Sequence, residues 1–287
     1  MKTMITSMKQ WMKTGAREVR KTSAVKGLLA GVLLSLAAPV SAQEFDHAHA
    51  DYDALLRKHV ENGRVDYRAL KKSPQALKGY LDSLAEVSER QFKQWSEARQ
   101  LAFYFNLYNA ATLKLIVDHY PVDSIKDIGG WFKGPWDQEV VRLFGETITL
   151  DNLEHDIIRE EYDEPRLHMA LVCAAKGCPN LRSEAYVGEK LDEQLDDQVR
   201  RFLASPKGMR VDRRRDRVHV SSIFKWYGED FVGKYTPRTG FNGLDKTERA
   251  VANFCAQYTS KANQAYLKAG DYKIKYLDYD WSLNGKE

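Results

Sequence analysis

The chain has 287 residues, 43% of them hydrophobic and 29% charged, with 44 Lys+Arg against 40 Asp+Glu. These are ordinary globular proportions, and they exclude collagen-like, disordered and disulfide-dense classes. Seven of the basic residues and one acidic residue lie within residues 1–42, so residues 43–287 carry 37 against 39, near −2. The formal +4 therefore reports the N-terminal segment, and a nucleic-acid partner is not expected.

That segment is the first predicted element. Residues 27–42, GLLAGVLLSLAAPVSA, follow a basic stretch and end in Val40-Ser41-Ala42. The layout predicts a secretory signal peptide cleaved after Ala42. The run falls short of the roughly 20 apolar residues of a membrane span, and no later stretch competes. The expectation is a single globular domain over residues 43–287, periplasmic or secreted, with no membrane span after cleavage. His47 and His49 could bind a metal, but they lie where chain ends are normally disordered.

Apolar spacing predicts helices over residues 51–60 and 74–87, separated by Asn62-Gly63 and a short strand, Val65–Tyr67. A longer helix spans about 97–119 and is stopped by Pro121. On it Ala102, Asn106, Asn109, Leu113 and Ile116 share one face. Two asparagines on an apolar stripe must find partners, or each costs about 1–3 kcal/mol. Their amides either line a site or tie the helix to a neighbouring loop.

Glu146–Leu150 reads as a strand, after which Asp151 opens a helix, Asp151 and Glu154 matching an N-terminal capping box. His155 shares a helix face with Asp151 and Arg159, neighbours that can orient an imidazole for proton transfer or metal binding. Leu167–Ala174 reads as an apolar strand, which would place His168 and Cys173 on opposite faces. Residues 189–204 form a helix, and Met209–Val211 with Val218–Val220 a hairpin. Arg213, Arg214, Arg215 and Arg217 sit at its tip, as a solvated turn or a contact for an anionic envelope surface. Helices near 246–257 and 260–268 and a last strand, Lys273–Trp281, complete an α+β pattern. The architecture expected is a helix-rich N-terminal part packed on a small antiparallel sheet.

Of three cysteines, Cys255 repeats at helical spacing with Val251, Phe254 and Tyr258 and reads as a buried apolar residue. Cys173 and Cys178 flank Ala-Ala-Lys-Gly, a turn that can bring them within disulfide range. In an exported protein the pair can be a structural bridge. As a free thiol, Cys173 can be a nucleophile, with His155 its less constrained partner. His155, His168, Cys173 and Cys178 match no zinc spacing, so neither metal nor cofactor is expected.

The blocks YFNLYNAATLKLIVDHYPVDSIKDIGG, LDNLEHDIIR, PRLHMALVCAAKGCPNLRSEAY, SIFKWYGEDF and LDYDWSLN occur in this order. Together, from about Tyr52 to Asn284, they resemble the domain-of-unknown-function family number 547. The resemblance implies motif positions at Asn106, Tyr108, Asn109, Glu154, His155, Arg159, His168, Cys173, Cys178 and Pro179. It also implies a fold similar to papain-like and transglutaminase-like ones. Ala175 departs from the serine that many members carry there.

The site expected from all of this combines Cys173, His155 and His168 as catalytic groups, with Asn106, Asn109, Glu154 and Arg159 binding substrate. The chemistry expected is thiol-dependent hydrolysis or transfer at an amide or ester of an envelope substrate. The alternative is a non-enzymatic ligand- or partner-binding protein with a Cys173–Cys178 bridge. A thiol–disulfide protein ranks below both, because the Cys-x-x-Cys spacing is missing.

Overall fold

The computed structural model of the protein describes residues 44–130 and 133–286. The predicted leader, residues 1–42, lies outside the described residues.

Helices come first, as their apolar spacing dictates. Helix α1 (Ala50–His59) leads into a hairpin of β1 (Val60–Glu61) and β2 (Arg64–Val65). The turn between them is Asn62-Gly63, both at positive φ (50° and 78°), the conformation a two-residue hairpin requires. Helices α2 (Tyr67–Lys72), α3 (Gln75–Ala85) and α4 (Glu89–Phe92) follow. Then comes α5 (Glu97–His119), whose first turn is capped by Ser96. Sequence periodicity gives α5 one apolar face, yet almost every residue from Leu101 to Val117 is buried. It is the axis of the larger apolar cluster, packed on all sides by α2, α3 and the hairpin of β3 (Glu139–Leu143) and β4 (Glu146–Thr149).

A second apolar cluster gathers Phe224, Phe231, Phe254, Cys255 and Val218. Cys255 is fully buried there, and burial pushes its thiol pKa up to about 12. Around this cluster lie α6 (Leu191–Ala204), β5 (Met209–Asp212), β6 (Arg217–Val220), α7 (Lys246–Gln257), α8 (Lys261–Ala269) and β7 (Lys273–Tyr276). Strand β6 pairs antiparallel with β5 but parallel with β7. The expected class, α+β, stands, and the parallel pair is an addition to it. Parallel strands need a long crossover, and the connection from β6 to β7 supplies one through α7 and α8.

Three local readings change. His49 is no loose tail: it is buried, and its Nδ1 lies 2.8 Å from the Tyr80 hydroxyl. Leu167–Ala170 is a helical turn rather than the start of a strand. This segment lies against α5 instead of a neighbouring strand, so helical bonds and one α5 side chain satisfy its backbone. The last strand stops at Tyr276. The backbone beyond it turns to the 174–177 loop, where Lys176 and Gly177 donate to the Ser282 and Asp280 carbonyls (both 2.8 Å). Asn284 donates in turn to Ala174 at 2.9 Å, which completes a clasp. Among the described residues, no helix is long and apolar enough to cross a membrane.

Candidate active site

A cleft of about 280 Å³ opens between the two apolar clusters, with Cys173, Cys178, His155, His168 and Glu154 in its lining. Leu171 and Ile223 supply aliphatic wall, and Tyr227, Tyr279, Trp226 and Trp281 supply aromatic wall. Four of the seven predicted site residues thus reach one cavity, and a fifth, Arg159, touches it through His155.

The asparagines do not reach it. Asn106 donates to the Tyr186 carbonyl (2.8 Å) and accepts the Tyr186 N–H (3.0 Å). Asn109 donates to the Ala170 carbonyl (3.0 Å) and accepts the Val172 N–H (2.9 Å). Each amide imitates a strand partner for one buried loop, which leaves neither free for substrate. The reading of Asn106 and Asn109 as substrate-binding residues is corrected to that of loop clasps.

Glu154 and His155 sit on a helix whose centre, Asn152–Ile158, is wound as a π-helix before it tightens over Arg159–Glu161. Wide π turns recur at functional sites because they displace side chains from ordinary helical positions. The cap differs from the predicted one. Thr149 Oγ1 accepts the Asn152 N–H at 2.9 Å, Asn152 Oδ1 accepts the Thr149 N–H at 3.3 Å, and Asp151 makes no cap bond. Glu154 is therefore not spent on capping. It is 9% exposed and faces the cleft beside Tyr108, whose hydroxyl pKa is raised by burial and by the Glu154 charge.

Asp230 organises the imidazoles. It receives Arg159 Nε and Nη2 at 2.7 Å each and His168 Nε2 at 2.7 Å. Burial alone would raise its pKa, but these hydrogen bonds outweigh burial and hold the carboxyl well below the usual range. His168 is stacked on Tyr227, with centroids 4.3 Å apart and planes at 11°. Arg159 Nη1 lies 2.7 Å from His155 Nδ1. A guanidinium can only donate, so Nδ1 accepts and the His155 proton sits on Nε2, which lies 3.5 Å from Asp151.

The sulfurs form a separate unit. Cys173 and Cys178 are free thiols, not a bridge. Cys178, 3% exposed, accepts the Cys173 N–H at 3.1 Å and the Tyr279 hydroxyl at 3.0 Å. Cys173 is half-buried, and its sulfur lies 3.2 Å from the same hydroxyl. The neighbouring Cys178 sulfur together with burial pushes the Cys173 pKa up. Burial would raise Cys178 as well, but the bonds from Cys173 and Tyr279 outweigh it and hold its pKa down. Among the described residues, neither imidazole hydrogen-bonds a sulfur.

Two backbone features build this unit. Ala174, next to the nucleophile candidate, has φ of 59°, a left-handed conformation that costs a residue with a Cβ about 1 kcal/mol. It folds the chain so that Cys178 returns beneath the Cys173 N–H. Gly177 lets the clasp close, since a Cβ there would stand 3.0 Å from the Tyr279 ring and 2.9 Å from the Asp280 nitrogen.

Residues 92–203 match the model of a family described as "Protein of unknown function, DUF547". Over that segment the chain is similar to DUF547. No curated protein and no solved structure matches the chain. The matched segment supplies both thiols, both imidazoles and Glu154, whereas Asp230 and four aromatic walls lie beyond it. Sequence reasoning assigned those later residues no role. They stand in SIFKWYGEDF and LDYDWSLN, two blocks that were visible as motifs but carried no nucleophile or base to draw attention to them.

Proposed function

We propose that the cleft is a thiol-dependent acyl site that hydrolyses or transfers the acyl group of an amide or ester. The observation that carries this reading is the half-open Cys173 thiol, 3.2 Å from the Tyr279 hydroxyl that also bonds the Cys178 sulfur, inside a cleft that also presents two imidazoles. Cys178 takes the base role first expected of a histidine. As thiolate it removes the Cys173 proton, and the Cys173 sulfur then forms a bond to the acyl carbon. The leaving nitrogen or oxygen departs with the proton held on Cys178. Water next gives a proton to Cys178 as its oxygen attacks the thioester. The carbon–sulfur bond breaks, and that proton returns to Cys173. The His155 Nε2–H is a donor available to the oxyanion, with Arg159 fixing its tautomer.

The leader in residues 1–42 supports an exported protein, and intact mass of the envelope fraction should then begin at Gln43. Export would expose the thiol pair to an oxidising compartment, so its state in the cell belongs to the same test. Iodoacetamide labelling of the native, unreduced protein, read by peptide mass, should modify Cys173 and leave Cys178 protected. Hydrolysis of an activated ester should vanish in Cys173→Ala and fall in Cys178→Ala. Quantitative recovery of a Cys173–Cys178 linked peptide, with full ester hydrolysis in Cys173→Ala, would leave a binding protein as the better account.

A further inference from the structure

The charge in the cleft lining is one-sided. Asp151 and Glu154 contribute carboxylates, and none of the lining residues is a lysine or arginine. Glu154 also stands apart from the other buried carboxylates of the protein. Glu164, similarly buried, is paired with Arg166 at 2.6 Å, and the half-buried Asp230 is paired with Arg159 at 2.7 Å. Glu154, 9% exposed, has no ion-pair partner among the described residues. A carboxylate withdrawn from water without a cation is costly, so the missing charge is a property a ligand can supply.

The walls point the same way. Tyr108, Trp136, Trp226, Tyr227, Tyr279 and Trp281 surround the cavity. Aromatic faces attract ammonium and quaternary ammonium groups, and several around one cavity make a cage for them. The protein already uses two of these rings in this manner. The Lys126 ammonium stands 3.7 Å from the Trp281 centroid, and the Arg159 guanidinium 5.1 Å from that of Tyr227. Trp226 is 45% exposed, a large apolar face left open at the cleft. An anionic ligand would meet two carboxylates, and a neutral one would leave Glu154 without its counter-charge.

We propose that the cleft is a cation site, and that the acyl compound presented to Cys173 carries an alkylammonium or quaternary ammonium group held between Glu154 and the aromatic walls. This deepens the acyl reading and rests on it for the identity of the reacting group, but the charge preference can be measured separately. A bound cation would also favour the anionic form of the neighbouring thiol pair, so the right substrate would help to activate its own nucleophile.

The test uses two methanethiosulfonate reagents that transfer a thioalkyl group to a thiol and release methanesulfinate, one bearing trimethylammonium and the other sulfonate. Relative to their rates with free 2-mercaptoethanol, the cationic reagent should modify Cys173 about tenfold faster than the anionic one, as expected for one desolvated charge pair. Glu154→Gln should flatten that ratio. Trp226→Ala, at an exposed position, should lower the cationic rate with the circular dichroism spectrum unchanged, which guards against misreading an unfolded Glu154 variant. Equal normalised rates in the unaltered protein would overturn the cation site and leave the acyl reading standing, provided a neutral reagent still labels Cys173. If even the neutral reagent fails, the thiol reading falls. The cation site is then decided by tryptophan fluorescence with tetramethylammonium against tert-butanol, where quenching by both alike overturns it.

Discussion

Asn109 and Cys173 both serve the strip of chain at residues 170–173, and they treat their polar atoms in opposite ways. Asn109 spends both ends of its amide on the Ala170 carbonyl and the Val172 N–H. One residue further on, Cys173 has its sulfur half-open to a cavity and 3.2 Å from the Tyr279 hydroxyl. Glu154 and Glu164 repeat the contrast among carboxylates. Burial alone does not separate scaffold from site in this molecule. The separation lies in whether the chain itself completes the hydrogen bonds and charges of the buried group.

The comparison can be broken most directly at Asn109. Asn109→Leu strands a carbonyl and an N–H in the interior and should cost about 3 kcal/mol in chemical denaturation, at the sum of two unsatisfied groups. Asn106→Leu should behave alike at Tyr186. If either variant keeps full stability and loses only ester hydrolysis, the assignment of the asparagines to the scaffold is wrong.

Asp230 tests the boundary between the two kinds of group, because it is structural in its bonds and sits behind the imidazoles. Asp230→Asn should cost about 2 kcal/mol at pH 7, the usual worth of hydrogen bonds to a charged acceptor. Its folded pKa is depressed, so its contribution is fully present above the unfolded value near 4 and is lost as pH falls below it. Denaturation curves of the two proteins should therefore converge in strong acid. A stability gap that persists unchanged at pH 2 would show that the charge is not what matters.

The cleft side predicts small stability effects and large functional ones. Cys173→Ala removes a half-buried sulfur and should change stability by less than about 1 kcal/mol while ester hydrolysis disappears. His155→Gln, at a side chain 28% exposed, should stay within about 0.5 kcal/mol yet slow hydrolysis at least tenfold. A His155 variant with the unaltered rate would remove the imidazole from the oxyanion role and leave the sulfur pair to work alone.

Much of the fold could be read from local chemistry. The long helix, the Asn62-Gly63 hairpin and the buried Cys255 each follow from spacing or from a conformational preference held within a few residues. The asparagine pair was visible as a problem, two amides on an apolar stripe, but its solution lies 80 and 61 residues away at Tyr186 and Ala170. The same limit hid Asp230 and Tyr279. Their partners come from helix and loop segments brought together only by packing, and no short pattern in SIFKWYGEDF or LDYDWSLN announces a proton donor. The segment 167–174 misled for a related reason. Apolar residues without period suit a strand or a buried helical turn equally, and the Asn109 amide, not a neighbouring strand, decided between them.

The clasp formed by residues 277–286 ties the readiness of the cleft to the order of synthesis. Tyr279 meets Cys173 across 106 positions of sequence, and the loop that bends Cys178 under Cys173 is closed by backbone bonds from Asp280, Ser282 and Asn284. A nascent chain long enough to pack the whole of α5 and its neighbours still lacks the hydroxyl that bridges the two sulfurs. Contacts of such long range form late, because the intervening chain must first lose its freedom. The thiol pair consequently stays unfinished until residues near 280 have left the ribosome, and proteolytic trimming of that segment would disarm the cleft while most of the helical core stayed folded.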